Sequence, residues 1–234
     1  MILSISEHIK PTDTTFIFDK EESRHLIKVL RKSEGDTVFI TDGNGHFYTT
    51  EISFANEKKC TVNVIKTEHK SKNRPFHLHI AIAPTKLNDR YEWFLEKAVE
   101  IGIDEITPII CKNSERKVIK VDRMKKIIQS AVKQSLQLYV PVFNEPILFD
   151  DFLKNQKASQ KFIAHCEDEN NKQFLQHIAK PENDILVLVG PEGDFTPKEI
   201  QKTLDLNFIP VTLGHNRLRT ETAGVYITSL MTLL

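Results

Sequence analysis

The period of the apolar positions changes once along the chain, near residue 75. Before it, Asp19 and Glu22 stand three apart ahead of Leu26, Val29 and Leu30, which predicts a capped short helix over about 20–31. Asp36–Thr41 and His46–Ile52 carry strand-like patterns on either side of Asp42-Gly43-Asn44-Gly45, a hairpin signal. Thr61–Ile65 is a further β-rich run. Residues 1–70 therefore predict a small, mostly β domain, with Lys66 to Pro75 as a polar linker.

From Phe76 onward strands and helices alternate. His77–Ala83 predicts a strand with Leu78, Ile80 and Ile82 on one face. A helix follows over 89–101, opened by an Asp89…Glu92 box, with Tyr91, Phe94, Leu95 and Ala98 at helical spacing. Glu105–Cys111 predicts a strand and 121–138 a helix with Ile127, Ile128, Ala131 and Ser135 inward. Lys161–Cys166, Asp184–Val189 and Phe208–Leu213 predict three more strands, and helices start near Pro197 and span 220–234. Asp184–Val189 is almost wholly apolar, as a strand covered on both faces would be. Such alternation predicts an α/β domain over 76–234 with a mainly parallel sheet.

Composition changes this picture little. The 234 residues carry 32 basic and 32 acidic side chains, so global basicity is no route to nucleic acid, although a local basic face is. Lys112, Arg116, Lys117, Lys120, Arg123, Lys125, Lys126 and Lys133 stand against only Glu115 and Asp122, and a second basic cluster runs from Lys66 to Arg74. Each reads as a solvated face; flanking one joint, they also read as a phosphate-binding surface spanning two domains. No apolar run approaches the roughly 18 residues of a membrane helix, and the start lacks a secretory pattern. Cys60, Cys111 and Cys166 are odd in number and form no CxxC. A cytoplasmic chain with reduced thiols is expected, without a membrane anchor.

The glycines exclude several chemistries. GxGxxG after a strand, GxxxxGK[ST] and GxSxG are all missing, which removes ordinary dehydrogenases, phosphate-loop enzymes and serine hydrolases. His77 and His79 share a strand face at a spacing that a metal could use, but no further ligand is near in sequence, and no metal is expected.

Two strand ends carry the remaining chemistry. Leu186-Val-Leu-Val-Gly190-Pro191-Glu192-Gly193-Asp194-Phe195 runs into Thr196-Pro197-Lys198-Glu199, where the cap, the proline and the glutamate mark a helix start. Val211-Thr-Leu213-Gly214-His-Asn-Arg217-Leu218-Arg219-Thr220-Glu221-Thr222-Ala223 repeats the design with two arginines and a glutamate. Ligands of open α/β sheets bind at such strand ends. Glu221 would also suit the helix dipole, and Thr220 or Thr222 a cap.

These segments resemble the GPEGGF and LG-x-x-ILRTETA signatures of the RsmE-type small-subunit ribosomal RNA uracil-N3 methyltransferases. His25-Leu-Ile-Lys-Val-Leu-Arg31 with Gly35-Asp36 resembles the family's H-x-x-x-VLR…GD. Lys86-Leu-Asn-Asp-Arg90 with Glu96–Gly102 resembles its K…DR…KATELG run, and Gln134-Ser135 with Val140-Pro141 its EQS…VP run. The chain departs from the pattern where Asp194 replaces a usual glycine, Lys133 a glutamate and Gln137 an arginine, and an arginine near the start is missing.

The resemblance implies a PUA-like β-barrel followed by a SPOUT methyltransferase domain with a C-terminal trefoil knot, working as a homodimer on 16S ribosomal RNA or the assembled small subunit. It implies S-adenosylmethionine held by Leu188, Gly190, Pro191, Glu192, Gly193, Leu213, Gly214, Leu218, Thr222 and Ala223, with leucines enclosing the adenine. Uracil N3 must lose its proton as it attacks, so Arg219 is expected to stabilise the developing anion and Glu221 to act as base or its orienter, with Glu192 as the other carboxylate. RNA contacts are expected from Arg24, His25, Arg31, Lys32, Lys86, Arg116 and Lys117. The alternatives are a SPOUT enzyme acting on another RNA position and an inactive RNA-binding relative.

Overall fold

The computed structural model describes residues 1–72, 74–154, 156–167 and 172–233. Contacts divide the chain into two compact units, Met1–Asn73 with Val132–Val140, and Arg74–Ala131 with Pro141–Leu234.

In the first unit β1 (Leu3–Ile5) and β2 (Thr15–Ile17) precede α1 (Lys20–Arg24), and β3 (Thr37–Thr41), β4 (His46–Phe54) and β5 (Thr61–His69) follow. They form one sheet in the order β1-β3-β4-β5-β2, antiparallel except where β1 runs parallel to β3. Period-two alternation turns Val38 and Ile40 of β3 and Tyr48 and Ile52 of β4 inward, onto Leu26, Phe18 and Ile9. Thr50 is buried among them because its Oγ1 donates to Val38 O at 2.7 Å.

Three expectations change here. The helix expected over 20–31 is α-helical only to Arg24; a π-helical turn covers His25–Val29 and Arg31 ends it at φ 54. Strand β5 runs to His69, into the expected linker, because β4 is long enough to pair it up to His46↔His69. Residues 132–140, expected in the second domain, belong to the first unit. Gly45 N–H donates to Leu138 O, Val140 N–H to Gly43 O and Thr41 Oγ1 to Leu138 O, so the hairpin turn holds this segment.

The second unit contains β6 (Leu78–Ile82), α2 (Asn88–Ile101), β7 (Glu105–Ile110), most of α3 (Val121–Ser135), β8 (Val142–Phe143), β9 (Ile147–Leu148) and α4 (Phe149–Leu153). It continues with β10 (Gln160–Ala164), β11 (Gln173–Phe174), α5 (Leu175–Ile178), β12 (Ile185–Val189), α6 (Pro197–Asp205), β13 (Ile209–Thr212) and α7 (Thr220–Thr232). The sheet is parallel, in the order β11-β13-β10-β12-β6-β7-β8, with β9 beside β7. All five residues of β12 are buried, as its composition requires of a strand covered on both faces. Helix α7 lies against α2 so closely that a Cβ on Gly224 would stand 2.5 Å from Phe94 Cε2.

The Asp89…Glu92 box does not form. Helix α2 starts a residue earlier, Asp89 Oδ1 accepts from Arg90 N–H, and Glu92 pairs with Arg123. Helix α3 stops at Ser135, before Leu136 at φ 58, and its buried residues are Met124, Ile128, Ala131 and Val132, with Ile127 and Ser135 only half covered.

Candidate active site

The site forms at the carboxyl end of β12. Helix α6 fixes the turn before it: Thr196 Oγ1 accepts from Glu199 N–H, and the Glu199 carboxylate accepts from Thr196 N–H at 2.8 Å. The other Glu199 oxygen accepts from Lys112 N–H at 2.8 Å, tying the residues after β7 to the same helix start. Asn113 next to it donates from Nδ2 to Gly193 O at 2.9 Å and to Asp194 O at 3.1 Å. Glu192 is exposed and its Oε1 accepts from Lys86 N–H at 2.9 Å. Gly190 is buried, and a Cβ there would press on the Phe195 ring at 3.1 Å.

The second glycine turn ends on the first. Thr220 Oγ1 donates to Gly190 O at 3.0 Å, so this threonine joins the loops and does not cap the helix. The N-cap of α7 is Arg219, without a side-chain cap bond. Arg219 is exposed, and among the described residues its guanidinium has no hydrogen bond or ion pair. Glu221 is 6% exposed; its Oε2 is buried without a hydrogen bond among the described residues, and its Oε1 lies 3.9 Å from Arg90 Nε. An orphaned buried carboxylate oxygen is costly, so its retention marks a place where a proton or donor group is expected. Leu188, Pro191 and Ala223 are buried, and Leu213, Gly214, Leu218 and Thr222 half covered. The Thr220–Gly190 bond thus brings the start of α7, where Arg219 and Glu221 flank Thr220, to the carboxyl end of β12.

The expected RNA contacts fall into two groups. Arg24, His25 and Arg31 are exposed in the first unit, and Lys32 lies half covered, 3.6 Å from Asp36. In the second unit Lys86 pairs with Glu115 at 2.8 Å and Lys117 is exposed. Arg116 is otherwise engaged: Nε and Nη2 donate to Lys86 O at 3.0 and 2.7 Å. Asn113, Glu199 and Arg90 were not singled out by sequence as site residues. Asn113 and Glu199 meet partners some 80 positions away, a relation no local pattern carries.

His77 and His79 lie at the opposite, amino end of the strands, in an open groove of about 430 Å³. There Glu105 of the neighbouring strand meets His77 Nε2 at 2.9 Å, and His79 Nε2 meets Thr107 Oγ1 at 2.7 Å. The His77 hydrogen bond holds the Glu105 carboxyl down at about 2, and burial pushes His79 down to about 4. Among the described residues no group of three or more His, Cys, Asp or Glu is placed to hold a metal.

A parallel sheet whose central strand β12 ends in one glycine turn, bonded to the helix start that follows a second glycine turn after β13, has the strand-end site at which open α/β sheets bind ligands. Residues 72–232 match the model of the RNA methyltransferase domain, and residues 18–65 that of the RNA methyltransferase PUA domain. The chain belongs to the RNA methyltransferase family. It is 30% identical over 227 residues to the ribosomal RNA small subunit methyltransferase E of Buchnera aphidicola, covering 93% of this chain and 88% of that one. To the protein of the same name from Mesomycoplasma hyopneumoniae it is 31% identical, covering 91% and 95%. The solved structure of a probable rRNA-methyltransferase from Porphyromonas gingivalis matches with a TM-score of 0.90 at 38% identity, covering 100% of this chain and 98% of that one. That of a ribosomal RNA small subunit methyltransferase E from Neisseria gonorrhoeae bound to S-adenosyl methionine matches at 0.89 and 26% identity, covering 100% and 97%.

Proposed function

We propose that this chain is a cytoplasmic, homodimeric S-adenosylmethionine-dependent enzyme that methylates N3 of a specific uridine in small-subunit (16S) ribosomal RNA, and that its second unit is a SPOUT domain knotted at its C-terminus. The observation that carries the reading is the Thr220–Gly190 hydrogen bond, which closes two glycine turns on each other beside the orphaned Glu221 oxygen. The names of the relatives support the ribosomal substrate, and the donor-bound neighbour supports the cofactor. Trp93 on α2 and Tyr226 on α7, exposed on two helices that pack together, support a second copy.

The residues fit this donor. Leu188, Leu213 and Leu218, carried by the two strand ends and the second turn, would offer apolar surface to an adenine, and the glycines would let backbone approach it. S-adenosylmethionine, when bound, supplies an electrophilic methyl group. The protein's part is to hold uracil in line and to manage the N3 proton and the charge left on the imide. Arg219, exposed and without a hydrogen bond or ion pair among the described residues, places its guanidinium fork on a uracil carbonyl and stabilises that charge. The bare Oε2 of Glu221 takes the proton, with Arg90 steadying the other oxygen.

The test is a pair of variants assayed on assembled small subunits. Arg219→Ala should lower turnover by about 100-fold or more while calorimetry finds donor affinity nearly unchanged. Glu221→Gln should do the same. Wild-type turnover in either variant would strike that residue from the mechanism.

A further inference from the structure

We propose that Asp194 is a positioning residue of the donor site: its carboxylate clamps the 190–195 turn to the chain leaving β10, and this clamp sets the affinity for S-adenosylmethionine. The inference rests on the reading of these turns as the donor site.

Asp194 adopts φ 60, a left-handed conformation that a short polar side chain tolerates better than most because it can bond locally. Here both carboxylate oxygens are committed. Oδ1 accepts from the Phe195 N–H at 2.8 Å, and Oδ2 accepts from the Cys166 N–H at 2.7 Å. The backbone N–H of Asp194 donates to Pro191 O at 2.9 Å and closes the turn itself. On its other side Asn113 donates to the carbonyls of Gly193 and Asp194. The turn is therefore gripped from two directions, by an amide from beyond β7 and by its own carboxylate reaching the chain beyond β10.

What the clamp holds is also what the site needs. Phe195 is buried under Gly190 and packs on Phe149 with ring centroids 5.4 Å apart, so the Oδ1 bond fixes the residue that sets the floor of the turn. Farther along the same stretch of chain, Phe174 meets His215 of the second turn with ring centroids 5.5 Å apart. Cys166 and Phe174 thus each touch one turn, and Asp194 is the hydrogen-bonded link from Cys166 to the first. Cys166 contributes its backbone N–H to this link; burial, then the Asp194 charge, push its thiol up. A glycine at 194 would allow the same backbone angle but could make neither carboxylate bond.

That difference makes the inference testable. The full chain is prepared as wild type, Asp194→Gly and Asp194→Asn. Donor binding is titrated by calorimetry, and exchange of the Cys166 and Phe195 amides is followed without donor. Asp194→Gly keeps the backbone angle without the carboxylate; Asp194→Asn keeps the size but replaces one accepting oxygen with an amide nitrogen that cannot accept. Both variants should bind S-adenosylmethionine about tenfold or more weakly, as expected for loss of a charge-assisted hydrogen bond. The Michaelis constant for the donor should rise with turnover at saturating donor close to wild type, and the Cys166 amide should lose protection. An Asp194→Gly variant with wild-type donor affinity, or with an equally protected Cys166 amide, overturns the clamp alone. A wild-type chain that takes up no donor overturns the donor site and the clamp together.

Discussion

Thr220 shows how much one side chain can decide. It stands at the first turn of α7, where a hydroxyl is usually read as a cap, yet it spends its proton on the buried Gly190 carbonyl 30 residues away. Thr220→Val preserves the shape and removes that donor, leaving a buried carbonyl unpaired; it should cost about 1–3 kcal/mol in denaturant unfolding and weaken donor binding as well. A variant with both quantities unchanged would mean the two turns do not depend on this bond. His79 gives a residue-scale prediction in pH. Its folded pKa of about 4 lies below the usual 6.5, so the unfolded chain takes up the proton first. The associated stability is full above pH 6.5 and is lost as pH falls toward 4, on the order of 3 kcal/mol in all. Glu105, held at about 2, contributes above its usual 4.5 and loses that contribution only at lower pH. His79→Asn should therefore flatten the decline between pH 6.5 and 4.5 and leave the more acidic part; equal declines in both proteins would refute the assignment.

At the scale of elements, strength of local signal separates what could be read in the sequence from what could not. Strand β12 and helix α6 were legible because one is an unbroken apolar run and the other opens with a cap, a proline and a capping glutamate that all bond as expected. Strands β1, β2, β8, β9 and β11 are two or three residues long, too short for any period to show. The helix after Asp19 starts where its cap signal puts it, although the Glu22 carboxylate accepts from Ser4 Oγ and Lys133 Nζ; its end is set by the π-helical turn His25–Val29, which no local pattern marks. The same logic holds for the site: its glycine turns announce themselves, whereas Arg90 and Asn113 acquire meaning only from partners brought in by the sheet. The π-helical turn ending at Arg31 offers a test of element against function. Arg31→Gly relieves a left-handed angle worth about 1–2 kcal/mol to a side chain, so stability should hold or rise while RNA affinity falls. Unchanged RNA binding would remove Arg31 from the recognition surface.

For the whole molecule, a zero net charge means that any grip on RNA must come from local faces. Three of the basic residues read from sequence already hold partners within the chain: Arg116 holds carbonyls, Arg123 pairs with Glu92 and Lys133 with Glu22. Reversing Arg31 and Lys32 together should weaken RNA binding and reduce its salt slope by roughly 1–2. An unaltered slope would move the interface elsewhere.

The proposed enzyme performs one chemical act, with two joined turns, on one base. Purified protein, isotopically labelled methyl donor and assembled small subunits, digested to nucleosides and weighed by mass spectrometry, test it most directly. The prediction is labelled N3-methyluridine at one site per particle, lost in Arg219→Ala. Label on any other nucleoside, or none at all from a chain that binds the donor, would contradict it.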